Sequence, residues 1–389
     1  MEVKNNEEKF DVIIVGAGVI GCSVAYHLAK LGCANVLLLE REDFPGTGST
    51  SKALGGIRAQ FSTAINVQMS LLAMKLLEEM EEEMRAQAGY VKAGYLFMTS
   101  DKQRFEHMRG AARFQQELGV SVAVLAREEI AACVPFIKTE DLLGGTFGSR
   151  DGFIDANGLT NAYFTRACAR GVQYLKLVEV QAFIKQNKRT VGVKTTAGDF
   201  FAEFVVNCCG PFAQDLARLA GVDLPVEAIR RQVVITGPEH SWPRVLPMLI
   251  DSDTGLVMRR DGEAIALIYS NPEEPAGMNL KFDHEYIEIV AQKMLQRAPS
   301  LETAGFNHSR CWAGCYEVSP DHHAIIGASG VPGFLLCNGF SGHGVMHAPA
   351  AGLALAEMIV QGRPSSIDLA PLALTRFAEN RLLHESAVF

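Results

Sequence analysis

Two glycine turns carry the residue types best suited to chemistry in this chain, and both suit the binding of an anionic ligand. Gly16-Ala17-Gly18-Val19-Ile20-Gly21 follows the β-branched run Asp11–Val15 directly. In a G-x-G-x-x-G turn the first glycine permits the tight bend and the second lets backbone N–H groups approach a pyrophosphate. The third lets helix and strand pack closely. The ligand's negative charge then lies at a helix N-terminus, where the dipole favours it. Alone such a turn is weak evidence. Here Ala25 and Gly32 extend the small-residue spacing, and Glu40 ends the next apolar run, Val36–Leu39, where a carboxylate can accept ribose hydroxyl protons. The combination marks a dinucleotide site. Near the other end, the apolar run Phe334–Cys337 leads into Asn338-Gly339-Phe340-Ser341-Gly342-His343-Gly344 and then a helical stretch over 345–361, so a glycine turn again separates strand from helix.

The elements that must position these turns can be read from pattern. Asp11–Val15, a helix over 18–31 and Val36–Leu39 make β-α-β in about thirty residues. Apolar residues recur at helical spacing from Ala64 to Arg85 around an acidic stretch, which reads as a helix with a solvated face. Gly94–Thr99, Ala182–Thr196, Gln232–Thr236, Leu256–Arg260 and Ala264–Tyr269 read as strands, which predicts a second, sheet-rich region. The chain of 389 residues is too long for one ordinary core, so two domains are expected. With 48% hydrophobic and 21% charged residues its composition is globular. A formal charge of −8 argues against nucleic acid or anionic lipid as partner. The nine cysteines are scattered and never spaced as CxxC, so they are expected as reduced thiols in a cytoplasmic or matrix-like compartment with no metal site. The opening residues MEVKNNEEKF have the wrong chemistry for a secretory or transit leader, and no apolar run reaches the ~20 residues needed for a transmembrane segment.

The segment after Glu40 bears on which dinucleotide binds. An NAD-binding unit would continue promptly into alternating strands and helices. This chain instead runs REDFPGTGSTSKALGGIRAQFS, a polar, glycine-laden segment that suits a larger, extended ligand, or else a plain surface loop. Its hydroxyls (Ser49, Thr50, Ser51) and close-approach glycines (Gly48, Gly55, Gly56) could follow a diphosphate toward an isoalloxazine ring, with Arg58 arriving beside the ring.

With these motifs in order (GAGVIGCSVAYHLAKLG, GTGSTSKALGGIRAQF, VVNCCGPFA, WAGCYEVSPDHHAIIG and NGFSGHGVMHAPAAG) the chain resembles the FAD-dependent D-amino acid oxidase superfamily, in its sarcosine oxidase and proline dehydrogenase β-subunit branch. The resemblance spans nearly the whole length. It implies a mixed fold, α/β with α+β: a Rossmann-like FAD-binding domain built from discontinuous segments (1–90, 153–215 and 312–389) and a substrate domain of antiparallel or mixed sheet (91–152 and 216–311). It further implies that Gly16, Gly18, Val19, Ile20, Gly21, Glu40, Arg41, Gly48, Ser49, Thr50, Ser51, Gly55, Gly56, Ile57, Val178, Cys209, Gly210, Gly314, Gly339, Gly342, His343, Gly344, Val345 and Met346 surround the FAD, with backbone near Val178 serving the adenine. Cys208 and Cys209 are then small buried residues and not a redox pair, because adjacent cysteines close only a strained ring. The turn Gly339–Gly344 would aim a positive dipole end at the flavin N1 and C2 carbonyl, where reduction places negative charge, and should raise the reduction potential.

The catalysis implied is hydride transfer from a substrate carbon to flavin N5, giving an imine that hydrolyses. Arg58 occupies the position of a carboxylate-binding arginine, Tyr316 that of a pocket tyrosine, and His343 lies in the flavin-facing turn, where it could serve chemistry or cap the helix. Trp312 is expected in the core, and Asp321, His322 and His323 lack the third spaced ligand that a metal needs. The chain departs from the family pattern at several places. Met346 stands where monomeric sarcosine oxidases carry a lysine, Gly314 where they attach flavin through cysteine, and Thr50–Ala53 where other relatives attach it through histidine, so non-covalent FAD is expected. No lysine occurs between Trp242 and Leu280 to assist oxygen; Arg259, Arg260 or Lys281 are the substitutes, and a dehydrogenase feeding an electron carrier becomes as good an expectation as an oxidase. The expected function is oxidation of a small secondary amine or amino acid such as sarcosine or proline, in a complex with a partner subunit or alone. The alternatives are a non-catalytic FAD-binding assembly protein and a flavoenzyme acting on a hydroxy acid.

Overall fold

Lys9–Val15 and Val36–Leu39 are buried along nearly their whole length, as inner strands of a sheet covered on both faces must be. They run parallel and are joined by the helix Val19–Lys30, as a parallel pair requires a crossover. This computed structural model describes residues 9–33, 35–84 and 89–385, the side chains of 81–84 excepted; most of the polar opening stretch and Arg85, the expected end of the acidic helix, lie outside the described residues. The first sheet has the order Ile325–Ala328, Phe334–Asn338, Gly198–Asn207, Lys9–Val15, Val36–Leu39, Gln173–Leu175. Neighbours are parallel except the antiparallel edge strand Ile325–Ala328. Its members come from three distant parts of the sequence because the chain leaves to build a second sheet before returning.

Ala182–Thr196, grouped by pattern with the strands of a sheet-rich region although the resemblance set 153–215 with the dinucleotide segments, is a hairpin of the first sheet. Val180–Gln186 and Arg189–Thr195 pair with each other through a turn at Asn187 and Lys188, both at positive φ, and Arg189–Thr195 pairs onto Gly198–Asn207. Val178 ends no strand; it lies in the connection after Gln173–Leu175.

The second sheet has the order Trp312–Val318, Glu227–Ile235, Ala264–Tyr269, Leu256–Asp261, Met248–Asp251, Tyr95–Thr99, Gly144–Gly148, Val122–Ala126. Trp312–Val318, placed by the expected boundary with the dinucleotide segments, is bonded here along Glu227–Ile235. Side chains alternate along these strands with period two. Leu96, Met98 and Leu249 pack under the helix Tyr286–Arg297 with its Tyr286, Val290 and Met294, while Tyr95, Phe97, Met248 and Ile250 gather on the opposite face. That second face looks toward the first sheet.

Two long helices carry the contact behind the glycine turns. The N-terminal helix lies against the last helix, Gly344–Gln361, and the Ser23 hydroxyl donates to the Ala348 carbonyl at 2.7 Å. Gly352 allows this approach: a Cβ there would lie 2.2 Å from Ser23 Oγ. Among the described residues no helix is long and apolar enough to cross a membrane.

Candidate functional site

Three parallel strands of the first sheet, Lys9–Val15, Gly198–Asn207 and Phe334–Asn338, each run at their carboxyl ends into a turn, and the turns converge. Ligands of open α/β sheets bind at this edge. The turns line one side of a cavity of about 780 Å³, and Tyr95, Phe97, Met248 and Ile250 of the second sheet line the other. Gly16, at φ 101°, is pressed against the second turn; a Cβ on it would lie 2.5 Å from the Cys208 carbonyl oxygen, so only glycine fits.

At one end of the cavity Glu40 receives the N–H of Ala17 at 2.7 Å on one carboxylate oxygen and that of Glu42 at 3.0 Å on the other. The backbone of Val178 donates to the Glu40 carbonyl at 2.9 Å, and the Arg41 guanidinium covers the Phe212 ring at 3.6 Å. Thr50 is buried, and its hydroxyl accepts the Val19 N–H at 3.1 Å, capping a first-turn donor of the N-terminal helix. Ser49 donates to the Cys315 carbonyl, which ties this loop to the second sheet.

Most of the expected cofactor residues line the cavity: Gly16, Gly18, Val19, Ile20, Glu40, Arg41, Gly48, Ser49, Thr50, Gly55, Gly56, Val178, Cys209, Gly210, Gly314, Gly342, His343, Gly344, Val345 and Met346. Four do not. Gly21 serves packing, since a Cβ there would lie 1.9 Å from the Gly16 carbonyl oxygen. Ser51 turns its hydroxyl back to the Thr47 and Gly48 carbonyls. Ile57 is buried in the core, and Gly339 faces Ile325 and Val226. The nine cysteines are free; burial pushes the Cys209 thiol up to about 12 and raises Cys208 as well, which keeps both protonated and inert.

At the other end Arg58 is 5% exposed. It donates to the Gln60 carbonyl, lies 3.8 Å over the Phe61 ring, and places Nη2 3.4 Å from Nε2 of His343. Burial lowers its pKa from the usual arginine value, while the charges of Glu385 and Asp151 act the other way. His343 occupies the N-cap of the last helix, edge-on to Phe61. Burial, then the positive charge of Arg58 and the neighbouring His347 imidazole, hold its pKa well below that of an ordinary imidazole, so it is neutral and can accept from the guanidinium. Tyr316 accepts from Arg231 Nε at 2.9 Å, and its ring packs against Gly342. Arg231, on Glu227–Ile235, also lines the cavity, and no sequence motif pointed to it.

The buried imidazoles make stability depend on pH. His347 bonds Ser70 Oγ at 3.0 Å, and burial with the Arg58 charge pushes it from 6.5 down to about 3. The unfolded chain therefore takes up a proton there below about pH 6.5 that the native protein refuses until about 3. Stability is complete above that window and is lost as pH falls through it, by up to ~1.4 kcal/mol per pH unit for each such histidine. In urea titrations between pH 6 and 4, His347→Asn should flatten the slope of unfolding free energy against pH; an unchanged slope contradicts the assignment.

The sequence model of the DAO family, described as FAD dependent oxidoreductase, matches residues 11–358. The chain belongs to this family. Human mitochondrial sarcosine dehydrogenase is 30% identical to it over 91% of this chain and 40% of its own length. The bovine FAD-dependent oxidoreductase domain-containing protein 1 is 30% identical over 95% of this chain and 85% of its own. Among solved structures, L-proline dehydrogenase from P. horikoshii superposes with a TM-score of 0.90 at 28% identity, covering 97% of this chain and 100% of that one. The chain thus spans about two fifths of the sarcosine dehydrogenase and the whole of the proline dehydrogenase chain.

The DAO family uses FAD, and this chain's cavity fits it. Its volume falls within the ~300–1,000 Å³ of ligand pockets, Gly18 offers backbone without a side chain beside Thr50, and Glu40 and the Gly342–Gly344 helix start both line it. No cysteine or histidine occupies 50–53, and Gly314 carries no side chain, in keeping with non-covalent binding. The suggested substitutes for an oxygen-assisting lysine do not line the cavity. Arg259 donates to the Leu54 carbonyl, Arg260 to the Trp242 carbonyl at 3.2 Å, and Lys281 is exposed. Trp312 is half-buried against Val233 and Ile235, with Nε1 donating to the Lys52 carbonyl at 3.1 Å. Among the described residues no cluster suits a metal: Asp321 is paired with Arg376 and His323 is bonded to Thr63.

Proposed function

We propose that this protein oxidises a small secondary amine or amino acid, passing its electrons to a carrier or partner subunit or to oxygen. The observation that supports the reading is the make-up of the cavity's far end. Arginine side chains and a neutral histidine stand beside apolar Tyr95, Phe97, Met248 and Ile250, next to the start of the last helix. Bound FAD would supply the hydride acceptor for the carbon attached to nitrogen. The chain's residues would do the rest. The desolvation and the Arg58 charge that depress His343 act in the same sense on an entering amine, favouring the unprotonated form that can release a hydride from its neighbouring carbon. A carboxylate would be held by a guanidinium. Relatives named for sarcosine and for L-proline point to the same substrate class.

Anaerobic mixing of the flavin-loaded protein with amines, amino acids and hydroxy acids should bleach the flavin band with a secondary amino acid first. Repeating it in air separates oxidase from dehydrogenase. Bleaching by hydroxy acids alone overturns the amine reading. A second reading, a flavin-binding assembly or regulatory protein, is favoured by the mouse pyruvate dehydrogenase phosphatase regulatory subunit, 26% identical over 94% of this chain. Bleaching by nothing would support it.

A further inference from the structure

A second cavity, of about 910 Å³, adjoins the first. Phe97, Arg231 and Ser270 line both, so these three side chains mark the throat between them. We infer that Arg231, with Tyr316, is the clamp for the substrate's carboxylate, and that Arg58 is a positioning residue behind it; this rests on the amine-oxidising reading above.

The orientation of Arg231 is fixed by strand pairing. It lies directly opposite Gly314, so its side chain shares a face with Tyr316 two residues along, and the glycine itself puts no side chain between them, its Cβ position being met by the Lys52 side chain. Its neighbour Arg230 points the other way, into a pair with Glu274 at 2.6 Å. Arg231 gives Nε to the Tyr316 hydroxyl at 2.9 Å and Nη1 to the Arg230 carbonyl at 3.0 Å. Among the described residues Nη2 has no hydrogen-bond partner, no carboxylate pairs with this guanidinium, and the Tyr316 hydroxyl, having accepted one bond, has no acceptor for its own proton. The Nη2 N–H groups and the Tyr316 O–H are thus left on neighbouring groups at the throat, donors for the two oxygens of a carboxylate.

Arg58 presents the opposite case. It is 5% exposed, donates to its own loop at Gln60, stacks on Phe61 and lies against His343, so its fork is engaged by the protein and would have to break these contacts to grip a ligand. What Arg58 supplies is a fixed positive charge behind the site. The expected substrate is a small amino acid whose carboxylate rests at the throat while its amine and the adjacent carbon enter the apolar inner chamber.

The test uses flavin-loaded protein and two probes. Propionate, which has no C–N bond to oxidise, is titrated by its perturbation of the flavin absorbance, and N-methylglycine is compared with N-methylglycinamide in reduction of the flavin. Arg231→Gln should weaken propionate binding roughly 30- to 100-fold and lower the preference for N-methylglycine over its amide by a similar factor, while Arg231→Lys restores part of both. The limiting rate of reduction should change only a few-fold, and flavin content and melting temperature should match the parent. If Arg231→Gln binds propionate within threefold of the parent, or folded Arg58→Gln loses propionate binding while Arg231→Gln keeps it, the assignment is wrong. Propionate titration stands apart from turnover: a protein that binds propionate through Arg231 yet is reduced by no amine keeps the clamp and loses the amine-oxidising reading.

Discussion

Gly18→Ala is expected to yield a folded protein that has lost most of its FAD, whereas Gly16→Val is expected not to fold. Gly18 has φ −71°, open to any residue, and a Cβ on it would meet only Thr50 Oγ1 at 3.4 Å, an ordinary contact. What that Cβ occupies is the space through which the helix N-terminus reaches a pyrophosphate. Overpacking of this kind costs about 1–3 kcal/mol, a factor of roughly five to a hundred and fifty in the dissociation constant for FAD. Gly16 is held at φ 101° with the Cys208 carbonyl 2.5 Å from a notional Cβ, so a side chain there must separate the first strand from the second turn. Flavin-to-protein absorbance ratios, FAD titration of the apoprotein and far-ultraviolet circular dichroism distinguish the two variants. Undiminished FAD affinity in Gly18→Ala would show that the cofactor does not lie against this turn.

The second large effect is one of stability. Arg376, fully buried, clasps Asp321 with two hydrogen bonds of 2.8 and 2.9 Å and also donates to the carbonyls of Leu372, Ala373 and His323. Burial alone would raise the Asp321 carboxyl; the hydrogen bonds and charge of Arg376 outweigh it and hold the pKa below the usual carboxylate range. Arg376→Met strands a buried carboxylate, so unfolding free energy should fall by about 3–5 kcal/mol. Replacing both partners, Asp321→Leu with Arg376→Met, should recover a large part of the loss, because no uncompensated charge remains. Urea midpoints at constant slope measure both; a single variant within about 1 kcal/mol of the parent would refute the role. The consequence reaches the cavity. Ser319, bonded to the His323 carbonyl at 2.7 Å, donates its N–H to Ser341 Oγ at 3.1 Å, so the Arg376 clasp supports the turn that opens the last helix.

The glycine turns were legible in the sequence because their requirements are local. A tight bend, a close backbone approach and a helix start each select residue types within six positions of one another, so Gly16 and Gly18 could be placed without tertiary knowledge, and Glu40 followed as the acid that ends the second strand of the β-α-β unit. The strand-turn-helix near the C-terminus was legible for the same reason. Ala182–Thr196 is recognisable as strand, but a β-branched run records its preference for extension and not its partner, so its grouping with the dinucleotide segments came only from the resemblance over 153–215.

The rest was decided by pairing. Whether Arg230 or Arg231 faces the cavity depends on the register between Glu227–Ile235 and Trp312–Val318, because a shift of one residue exchanges the two faces, and nothing in a pair of adjacent arginines specifies that register. Arg58 shows the converse: the chain marked it as a candidate, and its own loop holds it at Gln60 and Phe61, but the approach of His343 from the other end of the sequence arises only in the assembled fold. Local chemistry therefore marked a dinucleotide as the ligand and the glycine turns as the backbone suited to its phosphates. Only the packing of the second sheet over the first decided which side chains line the far end of the cavity, since long-range register and burial are properties of the assembled fold and of no single segment.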